Sequence, residues 1–455
     1  MLSILLGMFF TACGNTPSKI TNITDEISIE EREQIEEIEP IKEPEEIRIS
    51  EPLFKKFNTG FGTALTFPFL SVDNREINLE LNDLLLDSNL KNNPTLQQVK
   101  KVNINAFEQV QKTLRKSKYL VFWLVDGWEE SWFDKNKIQE LMDAGYVPIF
   151  SYWYFGDKLI YGVPDANKIR SYQQDNIRLA RFLSQLKGKK MIVMEPEFNK
   201  SAIIKDIKTQ HEFSAIISTA IDTIKNKNPD LLVSISIMDK GIRAVYDKNI
   251  ACGYENCALG DNGTWSNSET VIYDLLEKLD FISFHQMIGS FSRDYSDLGD
   301  WNHPNPRRYT DEEIGIDYLA RRILNFSGFL HQKYKKPIFM PFITIATATW
   351  NDDNGNQQIE STEISPNRWE DKAISIYAEL DELKPSLKEN GLFGFAIMSL
   401  FDHPRQDYDG YQYFMNNEYH LGILGSSARD EIDVAPDGNL YFKGNILEYL
   451  FNNEE

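Results

Sequence analysis

Cysteine and histidine are scarce in this chain. Three cysteines, Cys13, Cys252 and Cys257, and six scattered histidines are all it has. So thin a set excludes a small domain built on disulfides, and it argues against zinc, which needs clustered ligands or paired histidines at strand tips. No metal and no cofactor are expected. Basic residues are also in deficit: 48 Lys and Arg stand against 69 Asp and Glu, leaving a net charge of −21. A repelling surface of this kind excludes a nucleic-acid partner, because phosphate binding needs a basic face.

The charge surplus is concentrated. Segment Asp25–Glu51 is rich in Glu, and Pro40, Pro44 and the following Pro52 interrupt any helix. Self-repelling and poor in aromatics, it reads as an extended tether. Ahead of it, Met1–Ala12 is apolar but too short to span a bilayer. Its end, Phe10-Thr11-Ala12-Cys13 followed by Gly14, resembles the lipobox of bacterial lipoproteins, which implies lipidation of Cys13 as the mature N-terminus. The expected organisation is a signal peptide over 1–13, a tether over 14–55 and one folded domain over 56–455. Such a protein sits in the bacterial cell envelope outside the cytoplasm, touches the membrane through its lipid alone, and is expected to be a monomer. In that setting Cys252 and Cys257, with four residues between them, are expected to form a loop-pinning disulfide.

The folded part alternates two patterns. Eight short apolar runs occur at near-regular spacing: Gly62–Phe69, Tyr119–Val125, Tyr146–Trp153, Met191–Glu195, Leu231–Met238, Asp280–Gln286, Pro337–Ile345 and Leu392–Leu400. Helix-patterned stretches fill the gaps: Thr95–Lys116, Lys135–Ala144, Asn167–Leu186, Glu212–Asn226, Glu269–Leu279, Asp311–Lys335 and Trp369–Lys384, with a last one near Asn445–Phe451. Strand followed by helix, repeated without hairpin signals, implies parallel strands and right-handed crossovers. The fold class is α/β, a (β/α)8 TIM barrel with long loops on its C-terminal face. In this architecture the strand ends carry the chemistry.

Those ends are rich in functional groups. In Glu195-Pro196-Glu197-Phe198-Asn199, residues two apart face the same way if strand four continues, which puts both carboxylates in the barrel mouth about 7 Å apart at the backbone. Two close carboxylates cannot both ionise freely, so one is expected to hold a proton near neutral pH, as a general acid must. A salt bridge to Lys200 is the plain structural reading. Asp126, before the Gly127 turn, is a second catalytic candidate or a helix cap. Trp153, Tyr154, Asn199, Asp239, His285, Gln286, Trp350 and Asp402 are candidate sugar contacts at or beside strand tips, and His285 is equally a candidate partner for a catalytic carboxylate. The loops Lys240–Asn267, Trp350–Asn367 and Asp402–Leu440 add Trp265, Tyr408, Tyr411, Tyr413 and Phe414. Aromatic faces among amides and carboxylates suit sugar rings, although any single ring is as readily explained by packing.

The eight-strand order, the Glu-bearing tip of strand four, the run Ala144-Gly-Tyr-Val-Pro-Ile-Phe-Ser-Tyr-Trp153 and the Gly391-Leu-Phe-Gly-Phe-Ala…Phe401-Asp402 end resemble (β/α)8 glycoside hydrolases of the β-mannanase type. The resemblance implies that Glu197 is the acid/base, with Glu195 or Asp126 as its charged companion. Those families carry a nucleophilic Glu at strand seven, where Phe342–Trp350 here holds no carboxylate. The expected function is a surface-tethered glycoside hydrolase acting on an extracellular poly- or oligosaccharide. The alternative is a catalytically inactive carbohydrate-binding barrel.

Overall fold

A computed structural model describes residues 52–63, 69–72, 75–98, 102–239, 262, 265–288, 319–347, 349–350, 364–365, 370–402, 421–426 and 440–452. Eight strands close into a barrel: β1 (Asn58–Gly62), β2 (Tyr119–Val125), β3 (Val147–Trp153), β4 (Met191–Met194), β5 (Leu232–Asp239), β6 (Ile282–Ile288), β7 (Ile338–Ile345) and β8 (Leu392–Ile397). All neighbours are parallel, and β1 pairs with both β8 and β2 to seal the ring. Helices α1 (Ile104–Leu114), α2 (Lys135–Asp143), α3 (Ala166–Ser184), α4 (Ile207–Lys225), α5 (Glu269–Leu275), α6 (Leu319–Tyr334), α7 (Glu370–Glu382) and α8 (Ile446–Phe451) accompany the strands. The fold is the (β/α)8 barrel that the alternation predicts.

Burial on both faces explains the uniformly apolar strands. Tyr119, Val121, Val147, Ile149, Met191, Val193, Leu232, Phe281, Phe339, Phe393 and Ala396 fill one cluster inside the barrel. Their strand neighbours, such as Phe122, Leu124, Phe150, Ile192 and Ile235, belong to the core shared with the helices. Each fully buried residue of this size contributes about 1.5–3 kcal/mol. Leu53 and Phe54 pack against the interior cluster, with the Phe54 ring 4.7 Å from Phe393 and 6.4 Å from Phe281. They plug the barrel at the end opposite the strand tips.

The structure shifts some boundaries. The first strand spans Asn58–Gly62, not Gly62–Phe69. Its run Asn-Thr-Gly-Phe-Gly has little β propensity, and Gly60 is there because a Cβ would lie 2.2 Å from the Tyr119 carbonyl oxygen. The stretch read as one helix from Thr95 divides at two caps: Asn93 caps a short turn at Pro94–Gln97, and Asn103 caps α1. Helix α4 starts five residues early because the Asp206 side chain accepts from the Thr209 N–H. Cys13, Cys252, Cys257, Tyr408, Tyr411, Tyr413 and Phe414 lie outside the described residues. Among the described residues no helix is long and apolar enough to cross a membrane, and no cluster of three or more His, Cys, Asp or Glu could hold a metal.

Candidate active site

Strand β4 ends at Met194, one step before Glu195. The expected continuation to Glu197 does not occur. Glu195 and Glu197 both adopt positive φ, +37° and +69°, so the chain winds through a tight turn instead of alternating. Neighbouring backbone holds it there. The Glu195 N–H donates to the Tyr152 carbonyl at 2.8 Å, and the Glu197 N–H to the Ser236 carbonyl at 3.0 Å. Non-glycine residues in this region cost energy, and such strain gathers where a surrounding scaffold fixes a functional group.

The turn sends the two carboxylates to different places. Glu195 is fully buried in the outer layer, where its Oε2 accepts the Phe155 N–H at 3.1 Å. Around it stand Tyr152, Tyr154 and Tyr172, the Tyr172 ring 4.4 Å from Phe155 and 5.0 Å from Tyr154. Burial pushes the Glu195 carboxyl up to about 8, against the pull of the Phe155 and Tyr154 N–H groups, the Tyr172 hydroxyl and the charge of Lys168. Glu195 is therefore protonated at neutral pH. The Tyr172 hydroxyl is near enough to act on it, yet neither that hydroxyl nor Glu195 Oε1 completes a well-formed hydrogen bond.

Glu197 stands in the mouth. Its Oε2 accepts from Lys200 Nζ at 2.8 Å, and Lys200 reaches Asp157 at the same distance. Its Oε1 lies 3.9 Å from His285 Nε2. His285 Nδ1 meets the Ser236 hydroxyl at 2.7 Å; with that hydroxyl as donor, Nε2 carries the proton and turns it toward Glu197. Burial would raise the Glu197 carboxyl, but Lys200 and then His285 outweigh it and hold the group down at about 2. The sequence leads one to expect two carboxylates with divided pKa values in one mouth. The values are divided, but the protonated partner lies outside the mouth.

Contacts then run around the opening. The His285 ring lies 4.0 Å from Phe342, Phe342 is 5.2 Å from Trp123, and Trp123 meets Trp153 edge-on at 6.3 Å. Trp153 rests over Gly156 (φ +56°), where an added Cβ would sit 3.4 Å from the indole. Asp157 follows and returns to Lys200. The circuit is thus Glu197, His285, Phe342, Trp123, Trp153, Asp157 and Lys200, drawn from the tips of β2, β3, β4, β6 and β7. Trp123, Ser236 and Phe342 escaped the sequence reading. Trp123 and Ser236 were accessible through the two-residue period of their strands, since Tyr119, Val121 and Trp123 share a face and so do Leu232, Ser234 and Ser236.

Other candidates are placed elsewhere. Asp126 takes Lys168 and, at 3.4 Å, Lys158. Burial raises its pKa, but the bonds and charges of Lys168 and Lys158 prevail and lower it. Tyr154 is buried in the outer layer beneath Lys168, whose Nζ lies 4.4 Å from the ring. Gln286 is buried beside His285, and Asn199 is half-buried after the turn. Asp402 accepts from Lys443 at 2.7 Å and from the Gly422 N–H at 3.0 Å. Trp265 packs on Phe326 and donates to the Tyr334 hydroxyl at 2.7 Å, so it is a core residue rather than a platform. Asp239 closes β5 opposite Gln286, and Trp350 pairs with Ile364.

No protein-family model and no curated protein matches the chain. Among solved structures it is similar to a hyperthermophilic β-glucosidase from Pyrococcus furiosus, at 12% identity over 87% of this chain and 94% of that chain, TM-score 0.45. It is also similar to a β-glucosidase from Thermotoga maritima in complex with glucoimidazole, at 12% identity over 88% and 100%, TM-score 0.46. A third is an exo-β-1,4-mannosidase from Opitutaceae bacterium strain TAV5, at 10% identity over 87% and 59%, TM-score 0.43. These neighbours are glycoside hydrolases; strand order and register define the barrel of this chain without them.

Proposed function

We propose that the protein is a glycoside hydrolase acting on an extracellular poly- or oligosaccharide, tethered to the cell envelope through Cys13. The observation that carries this reading is an ionised carboxylate, Glu197, fixed between Lys200 and His285 in a barrel mouth that also presents the indoles of Trp123 and Trp153. Indole faces stack on the C–H faces of sugar rings, and a held anion suits the positive charge that develops at the anomeric carbon. The sequence reading made Glu197 the proton donor. A carboxylate held near 2 is better matched to the anionic role, as nucleophile, base or stabiliser. Asp352 and Asp353, just beyond strand seven, lie outside the described residues and are the first candidates for the acid.

The test is a reducing-sugar release screen over polysaccharides, wild type beside Glu197→Gln. Turnover falls by about 10²-fold or more for both poor and activated leaving groups if Glu197 works as the anion. If activated substrates are spared, Glu197 is the donor after all. One observation favours a second reading, a carbohydrate-binding barrel without activity: Phe342–Thr347 at the strand-seven tip carries no carboxylate. Oligosaccharide binding without turnover across the panel selects that reading.

A further inference from the structure

Glu195 is buried, is held in a strained backbone conformation, and has no place in the circuit around the mouth. Its surroundings give it a different task. On one side its carboxyl takes the Phe155 N–H, in the loop that carries Trp153, Gly156 and Asp157. On the other it belongs to the turn that aims Glu197, and the Phe198 N–H returns to its own carbonyl at 3.2 Å. Asp157, two residues beyond Phe155, holds Lys200, and Lys200 holds Glu197. One side chain thus connects both arms of the Glu197–Lys200–Asp157 arrangement. We propose that Glu195 is a positioning residue: its carboxyl ties the β3–α3 loop to the tip of β4 and so sets where Lys200 and Glu197 stand.

The groups facing Glu195 dictate which form makes the tie. From β3 and its loop come the Tyr152 side chain and the Tyr154 and Phe155 N–H groups; from α3 come Tyr172 and Lys168, with Asp175 beside Tyr152 and Tyr172. Asp175 is occupied by the Trp128 indole N–H at 2.8 Å, the Tyr152 hydroxyl at 2.6 Å and Arg178. Lys168 is occupied by Asp126. Among the described residues no ion pair with Glu195 is formed, and Oε1 completes no well-formed hydrogen bond. Burial costs the anion its hydration, and the Phe155 and Tyr154 N–H groups, the Tyr172 hydroxyl and the charge of Lys168 offset only part of that cost, so the neutral carboxyl prevails. Ionisation strengthens the Phe155 bond itself but leaves an incompletely compensated charge in the buried layer, so the turn and the loop are driven to open to water. The sign follows from proton binding: between the ordinary 4.5 and the raised value of about 8 the folded chain holds a proton that the unfolded chain has lost. This contribution is fully present below about 4.5, falls as pH rises, and is gone above about 8.

The experiment compares wild type, Glu195→Gln, which mimics the neutral form, and Glu195→Ala. Carbonyl-carbon NMR of Glu-labelled protein, with Glu195→Gln as the difference spectrum, should show one carboxyl titrating near 8. Thermal unfolding followed from pH 4.5 to 9 should show Glu195→Gln gaining on wild type across that window and levelling beyond it. Should Glu195 titrate near 4.5, or the two melting curves stay parallel, the proposal is overturned. The effect on turnover rests on the glycosidase reading: the wild-type profile should lose activity on the alkaline side with a midpoint near 8. In Glu195→Gln that limb should move up by about one pH unit or vanish, and Glu195→Ala should lose about tenfold at every pH. If Glu195→Gln instead abolishes turnover at all pH values while the wild type turns over, Glu195 acts in the chemistry and the positioning role is wrong. A wild type without turnover defeats the glycosidase reading alone, and the NMR and melting arms still decide this one.

Discussion

Lys200 decides what Glu197 is. An ammonium 2.8 Å from Glu197 and from Asp157, in a half-buried site, makes the carboxylate an anion down to about pH 2. Stability linked to Glu197 is therefore present above its ordinary 4.5 and is lost only as pH falls through about 2. Lys200→Met removes the partner but not the burial. Stability at neutral pH should fall by about 3 kcal/mol, the usual cost of stranding one buried charge, as read from urea denaturation. The Glu197 carboxyl, followed by NMR, should move above 4.5, because burial then acts with only His285 against it. A midpoint still near 2 would mean that His285 and the turn, rather than Lys200, hold the charge. Sequence alone reached part of this. The pairing of Glu197 with Lys200 is legible in an i, i+3 spacing, and so is His285 as a carboxylate partner at a strand tip. The positive φ of Glu195 and Glu197 is not, because carbonyls of Tyr152 and Ser236, remote in the chain, impose it.

At the scale of elements, the site depends on strand tips being held at fixed height, and the end of the barrel near β7 and β8 shows how. Lys443, almost fully buried just before α8, donates to Thr347 at 2.9 Å, to Asp402 at 2.7 Å and to the Gly422 carbonyl at 2.7 Å. One ammonium therefore clasps the segments following β7 and β8 together. Asp402 is a member of that clasp, a role its position at a strand tip did not reveal, since Lys443 lies far along the chain. Lys443→Met should cost about 3 kcal/mol by taking the ammonium away from the Asp402 carboxylate in a mostly covered site, and the double variant with Asp402→Asn should recover part of it. Chemical denaturation of the four proteins in that cycle measures the coupling. If the losses simply add, the clasp is not a unit. The strands themselves were legible because burial on both faces leaves an apolar run; β1 escaped because close backbone approach at Gly60 replaced its side-chain signal with glycine.

For the whole molecule, the plug at Pro52–Lys55 sets the polarity. Phe54 covers the closed end of the barrel, against Phe281 and Phe393, while Glu197 and the indoles occupy the tips at the other end. Pro52, the first residue described, lies at that closed end. Two shortened chains test this organisation. The tether expected over 14–55 includes Leu53 and Phe54, which pack on the barrel interior instead, so a chain beginning at Glu51 keeps the plug and, if the residues before it are a tether, unfolds at the temperature of the full-length protein. A chain beginning at Phe57 loses Leu53 and Phe54 and exposes the interior cluster beneath them. It should be less stable by about 2–4 kcal/mol, the range for removing large core side chains that are themselves only partly covered. Equal loss in both shortened chains would show that residues before Glu51 belong to the fold and would refute the tether. Equal stability in both would show that the plug is dispensable and that the barrel floor is sealed by Phe281, Phe339 and Phe393 alone.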